Sequence, residues 1–201
     1  KCTRPLECSG TAERQALATG TEIPVAANLI SKQDLLERLP ERGFAIDPKD
    51  PQEIDDAIWA EPLQKRHLSR IQIHVADAGL LYGQTEIINA ARRQGWSRYY
   101  DDERPAKLML PEDIAISGLS LNVDHHETGY APAVTIAFTF NSDTREVLDH
   151  SVYKSRLECL GSDYEAFEAS VREGRKSDAT QYERDARFIY RRATELTKPP
   201  G

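Results

Sequence analysis

The run IDPKDPQEIDDAIW, residues 46–59, places five carboxylates, Asp47, Asp50, Glu53, Asp55 and Asp56, within ten positions and then enters an apolar segment. A charge run is ordinarily a solvated loop, but three features set this one apart. Pro48 and Pro51 block a helix, so the acids cannot be one face of an exposed helix. GFAI before the run and AIW after it place the acids at strand ends, where a rigid frame commonly holds functional groups. Carboxylates crowded against core raise each other's pKa and oppose folding unless a cation or a donor compensates.

A divalent metal is the economical compensator. The EF-hand calcium pattern fails: counted from Asp47, the third, fifth and sixth positions are Lys49, Pro51 and Gln52. With no Cys or His in the run, zinc is a poor match. A few carboxylates with water or substrate phosphate completing the shell is how Mg2+ or Mn2+ is held. Two such ions would suit in-line hydrolysis of a phosphodiester.

The surrounding pattern must position these groups. Residues 1–30 carry no sustained period and are expected to form an irregular lead, with a single domain over 31–201. SKQDLLERLP predicts a short helix capped by Ser31 and stopped by Pro40. Strands are predicted over 43–46 and 57–63, and again over 70–78, where Ile71, Ile73 and Val75 alternate with Gln72 and His74 as in a half-buried strand. Residues 84–94 predict a helix closed by Gly95. The stretch 132–140, with Val134, Ile136, Phe138 and Phe140 alternating, predicts a strand, NSDT a turn, and 146–158 the antiparallel return. Ser162 with Glu165 resembles a capping box for a helix over 163–173, and a second helix over about 178–197 carries Tyr182, Ala186, Ile189, Ala193 and Leu196 on one stripe. The expected class is α+β: a mixed, mostly antiparallel twisted sheet with flanking helices.

Composition narrows the partners. The net charge of −7 excludes broad electrostatic adhesion to nucleic acid, while RRQGWSR (92–98) and RFIYRR (187–192) gather local positive charge. No apolar run approaches the roughly 20 residues of a membrane helix, so no membrane partner is expected. KCTRPLECSG has neither an initiating Met nor the apolar core of a secretory signal, which fits a processed chain or one cut from something longer. Three sparse cysteines, Cys2, Cys8 and Cys159, complete no zinc site and point to a reducing, cytoplasmic setting.

Other candidates have plainer readings. His74 and Asp77 could be drawn as a general-base pair, but a strand histidine and a strand-end aspartate satisfied by backbone bonds are expected. His125 and His126 sit in a Gly-containing loop and read as solvated. Trp59 is expected in the core, Tyr153 and Tyr190 are expected to pack, and Arg92, Arg93 and Arg98 fit phosphate contacts or solvated helix-end charges equally well.

Several segments, in order, resemble the catalytic RNB domain of the ribonuclease II/ribonuclease R family. AIDPKDPQEIDDAIW resembles its acidic signature, IQIHVADAG the strand that follows, ARRQGWSRYY its RR.G.S.Y segment and LMLPEDIAISGLSLN its MLP…LSL segment. VTIAFTFNSDTREVLDHSVYKSRLECLGSDYEAFE is similar to the hairpin and helix that come next. The resemblance implies a 3′→5′ exoribonuclease that uses Mg2+ on single-stranded RNA and releases nucleoside 5′-monophosphates. It implies that Asp47, Asp55 and Asp56 hold metal and activate water. Glu53 stands where the family often has Asp, keeping a carboxylate on a longer arm.

Tyr99 matches the tyrosine that stacks on the 3′-terminal base, a contact worth about 1–3 kcal/mol, with Tyr100 as its rival. Trp96 and Arg98 join it as expected RNA contacts. The match runs from about 43 to 168, the N-terminal half of the family's domain, and nothing resembles the later basic segment that serves the scissile phosphate. A missing C-terminal half or another protein chain is therefore an expected partner. The alternative is a non-catalytic RNB-like protein that binds RNA or a partner.

Overall fold

A computed structural model describes residues 40–51, 53–97 and 107–197. The expected lead over 1–30 and the helix begun at Ser31 lie outside the described residues, as do Arg98, Tyr99 and Tyr100.

Five strands close on themselves in the order β1-β2-β3-β4-β5. They are β1 (Glu41–Asp47), β2 (Asp56–Pro62), β3 (Leu68–Ala76), β4 (Ala131–Asn141) and β5 (Glu146–Asp163). Neighbours are antiparallel except at the closure, where β1 runs parallel to the second half of β5, from Glu41↔Leu157 to Asp47↔Asp163. Helix α1 (Thr85–Gln94) lies between β3 and β4, while α2 (Tyr164–Glu173) and α3 (Gln181–Thr197) follow β5. The α+β expectation holds, and closure of the sheet is the addition. The NSDT turn forms as read: Asn141 Oδ1 accepts from Asp143 N at 2.9 Å and from Thr144 N at 3.3 Å.

Two core clusters hold the molecule. One packs α2 and α3 onto the sheet through Phe44, Trp59, Ile71, Phe140, Phe167 and Ile189. Phe44 is its hub, stacked on Trp59 at 5.8 Å between ring centroids and meeting Phe167 at 5.9 Å and Tyr182 at 4.8 Å. The other is built mainly of small side chains, Ala45, Ala57, Ala131 and Ala133, closed by Leu121, Leu157 and Ile54. A five-stranded barrel leaves a narrow interior, and small residues fit it. Gly43 marks the limit: a Cβ there would lie 3.1 Å from Ala57 and Leu157 and 3.2 Å from His74.

That narrow interior corrects the reading of β3 and β4. Their alternation is real, but the apolar set does not define the buried face. Gln72, His74, Thr135 and Ala137 are buried, whereas Ile73, Val75 and Ile136 are 36%, 41% and 37% exposed. The interior is lined by polar as well as small groups, several of them paired with one another. His74 Nδ1 lies 2.8 Å from Thr135 Oγ1, which lies 2.6 Å from Ser155 Oγ. Tyr153 donates to Glu41 at 2.7 Å, Arg70 donates to Tyr153 at 2.7 Å, and Gln72 donates to Glu41 at 2.7 Å. A register shift between Thr139 and Phe140 changes the phase, and Phe140 is fully buried.

Three smaller expectations also change. Asp163, not Ser162, caps α2, its side chain accepting from Ala166 N at 2.7 Å. Tyr190 is 53% exposed rather than packed. In α3 the buried side is Ala186, Ile189 and Arg192, which lies over the Phe188 ring and pairs with Glu195, while Leu196 is 38% exposed.

Candidate active site

The barrel's strand ends carry the acidic run. Asp47 is the last residue of β1 and Asp56 the first of β2. Between them the chain turns through Asp50, whose φ of 54° is a left-handed conformation that Asp tolerates better than most residues. The return limb is fastened at three points. The Ala76 N–H donates to the Asp55 carbonyl at 2.9 Å, the Leu121 N–H donates to the Ile54 carbonyl at 2.8 Å, and the Ile54 N–H donates to Ser120 Oγ at 3.1 Å. Ile54 itself is buried, so the loop is nailed down by an apolar side chain flanked by acids.

The carboxylates feel each other. Partial burial holds Asp47 above its ordinary pKa, and the nearby Asp56 pushes it further. Burial raises Asp55 too, followed by repulsion from Glu53, Asp56 and Asp47. This is the like-charge crowding expected of the run, and hard oxygen donors of this kind fit Mg2+ or Mn2+. Among the described residues, no three His, Cys, Asp or Glu side chains converge closely enough to hold a metal ion. The donor set thus fits a metal in chemistry while its side chains are not gathered around a point.

A cleft of about 560 Å3 opens beside the loop. Asp47 and Asp50 line it together with Asp124 and Asp163, two acids from elsewhere in the chain that the sequence reading did not single out. Asp163 was findable only through the β1–β5 pairing, which sets it level with Asp47. Cys159 also lines the cleft, but burial, reinforced by Asp47 and Asp56, pushes its thiol up to about 12, so it is not a thiolate nucleophile.

Two serines that the sequence reading missed brace the run. Ser120 also accepts from Asn122 N at 3.3 Å, so one hydroxyl ties the MLP…LSL segment to the acidic loop. Ser97 donates to Glu53 Oε1 at 3.4 Å, and its hydroxyl accepts from Met109 N at 2.9 Å. The only sequence signal for either was membership of a quoted segment. Trp96, expected near RNA, is 62% exposed and one residue from Ser97.

The plainer candidates resolve individually. Asp77 caps the turn Ala78–Leu81 by accepting from Gly79 N at 3.0 Å and pairs with Lys154 Nζ at 2.9 Å, so it does not serve His74. His125 and His126 are not simply solvated: Nδ1 of His125 lies 3.0 Å from the Ile116 carbonyl and Nε2 of His126 lies 2.7 Å from the Ser120 carbonyl. Trp59 is buried, and Tyr153 belongs to the interior polar network.

Comparison with known proteins places this geometry. No curated protein sequence matches the chain. Among solved structures, the chain is similar to RNase R of Mycoplasma genitalium in complex with double-stranded RNA, at 15% identity and a TM-score of 0.62. That match covers 94% of this chain and 31% of that one. An active-site mutant of the Dss1 exoribonuclease from Candida glabrata is similar at 19% identity and a TM-score of 0.64, over 78% of this chain and 21% of that one. Yeast Ssd1, a pseudonuclease, is similar at 16% identity and a TM-score of 0.55, over 81% and 20%. The chain thus spans less than a third of the length of each of these proteins. The family model for the RNB domain matches residues 34–197, which take in the whole closed sheet and helices α1 to α3, and the chain belongs to the RNB domain family.

Proposed function

We propose that the chain is the acidic half of a Mg2+-dependent 3′→5′ exoribonuclease that acts on single-stranded RNA and releases nucleoside 5′-monophosphates. The observation that carries this reading is the placement of Asp47 at the end of β1 and of Asp55 and Asp56 at the start of β2. There burial and then Asp56 hold Asp47 above its ordinary pKa, and burial followed by Glu53, Asp56 and Asp47 does the same for Asp55. Crowded negative charge pinned to a rigid frame is what a cation site looks like before the cation arrives. Asp47, Asp55 and Asp56 would hold Mg2+, or Mn2+ in its place, with Glu53 adjusting the water. The bound ion would supply Lewis acidity and a water of lowered pKa.

The chain's own residues do the remaining work. A carboxylate takes the proton as the water oxygen bonds to phosphorus. The bond from phosphorus to the O3′ of the shortened strand breaks and O3′ takes a proton from solvent, leaving a 3′-hydroxyl on the RNA and the phosphate on the released nucleotide. Tyr99 would stack on the terminal base, with Trp96 and Arg98 beside it. Incubation of 5′-labelled single-stranded RNA with Mg2+ tests the reading: stepwise shortening that disappears in Asp56→Asn supports it, and no shortening by the wild-type chain alone or with a supplied C-terminal half sinks it.

A second reading has a specific support. The carboxylates do not converge among the described residues, and the pseudonuclease Ssd1 shares the fold. In that case the domain binds RNA or a partner chain without cutting. RNA affinity retained in wild-type protein and Asp56→Asn alike, with no shortening in either, would favour it.

A further inference from the structure

Helix α1 is amphipathic, yet none of its residues is buried. Ile87, Ile88 and Ala91 share one side by helical spacing and are only half-buried. Ten residues of helix are marginal in water without a packed face, so this side invites an occupant.

A cleft of about 490 Å3 runs along it, bounded by the turn Ala78–Leu81 on one flank and by Met109 and Leu110 on the other. That volume lies within the roughly 300–1,000 Å3 of small-ligand sites. The wall is apolar apart from Arg92, and no carboxylate lines it, in contrast to the acidic cleft beside Asp47. Arg92 makes no ion pair among the described residues. Tyr82 stands at the mouth with 94% of its surface exposed, an aromatic ring free to stack. The cleft is tied to the acidic loop, because Ser97 joins Met109 to Glu53.

An apolar slot with an open aromatic ring, one cation and no acid suits a flat ligand that carries negative charge. A nucleobase with its phosphate has that chemistry. We propose that this cleft holds a second base of the RNA strand, beyond the one assigned to Tyr99, with Tyr82 stacking on the base and Arg92 meeting the adjoining phosphate. The inference rests on the RNA reading above and adds to it a second point of grip, which keeps the strand aligned with the acidic loop while its end is removed.

Fluorescence anisotropy with a labelled oligoadenylate in EDTA, where no hydrolysis occurs, provides the test. Tyr82→Ala is expected to weaken binding about tenfold, and Tyr82→Phe to bind as the wild type does. Arg92→Ala is expected to lower the slope of log affinity against log salt by about 0.7. Because Tyr82 is so exposed, its loss leaves the unfolding midpoint unchanged. Equal affinity of wild type and Tyr82→Ala, with Tyr99→Ala weakened, overturns the second grip and leaves the RNA reading standing. A wild-type chain that binds no oligoadenylate overturns both.

Discussion

Acid should unfold this protein partly through one buried histidine. His74 is wholly inaccessible, and its Nδ1 faces Thr135 Oγ1. Burial, only partly offset by Glu41 and by a backbone hydrogen bond at Arg42, lowers its pKa from 6.5 to about 4. The unfolded chain therefore takes up a proton near pH 6.5 while the folded chain refuses it until about pH 4. The stability held by neutral His74 is complete above pH 6.5 and lost as pH falls through that window. The loss is about 2 kcal/mol at pH 5 and about 3 kcal/mol once pH drops below 4, where both states are protonated. Asp47 and Asp55 act with the opposite sign, because their raised folded pKa values return stability as they protonate. The useful quantity is thus a difference between proteins. Urea unfolding of wild type and His74→Asn at pH 7 and pH 5 should show the wild type losing about 2 kcal/mol more than the variant over that interval. An identical acid loss in both proteins would refute the reasoning, whatever the variant's stability at pH 7.

Three further substitutions probe the frame. Ser120→Ala leaves the Ile54 N–H without its acceptor and should cost about 1–3 kcal/mol in urea unfolding while loosening the acidic loop. Gly174→Ala would drive a Cβ into the Glu183 carbonyl oxygen and onto Arg187, so α2 and α3 must part, and a loss of about 1–3 kcal/mol by thermal unfolding is expected. Asp163→Ala removes the cap of α2 and should cost about 1 kcal/mol, read as a lower helix signal and a lower unfolding midpoint.

The acidic loop was legible because its evidence is local. Pro48 and Pro51 exclude helix, the flanking apolar runs mark strands, and five acids in ten residues announce a charge problem. The helices 84–94 and 163–173 were legible for the same reason, through periodicity and end signals. Closure was not, because β1 pairs with residues more than a hundred positions away and neither partner advertises it. The faces of β3 and β4 were misjudged because polarity marks the inside only where the inside has room for aliphatic side chains. Here Ala133, Thr135, Ala137 and Ser155 fill a narrow bore, and Ile73, Val75 and Ile136 are pushed outward. Ser120 and Ser97 could not be foreseen as braces, since a serine's role depends on what the fold brings opposite it.

The central claim is that the acidic run is a cation cradle, and ligand-linked stability tests it most directly. A cation that binds only the folded protein stabilises it by an amount set by its concentration over its dissociation constant, about 2.7 kcal/mol at a hundredfold excess. Thermal unfolding followed across a Mg2+ titration should show a rising midpoint for the wild-type chain and a flat one for Asp55→Asn and Asp56→Asn. A midpoint that Mg2+ leaves unmoved in the wild type, or moves equally in all three proteins, would contradict the account.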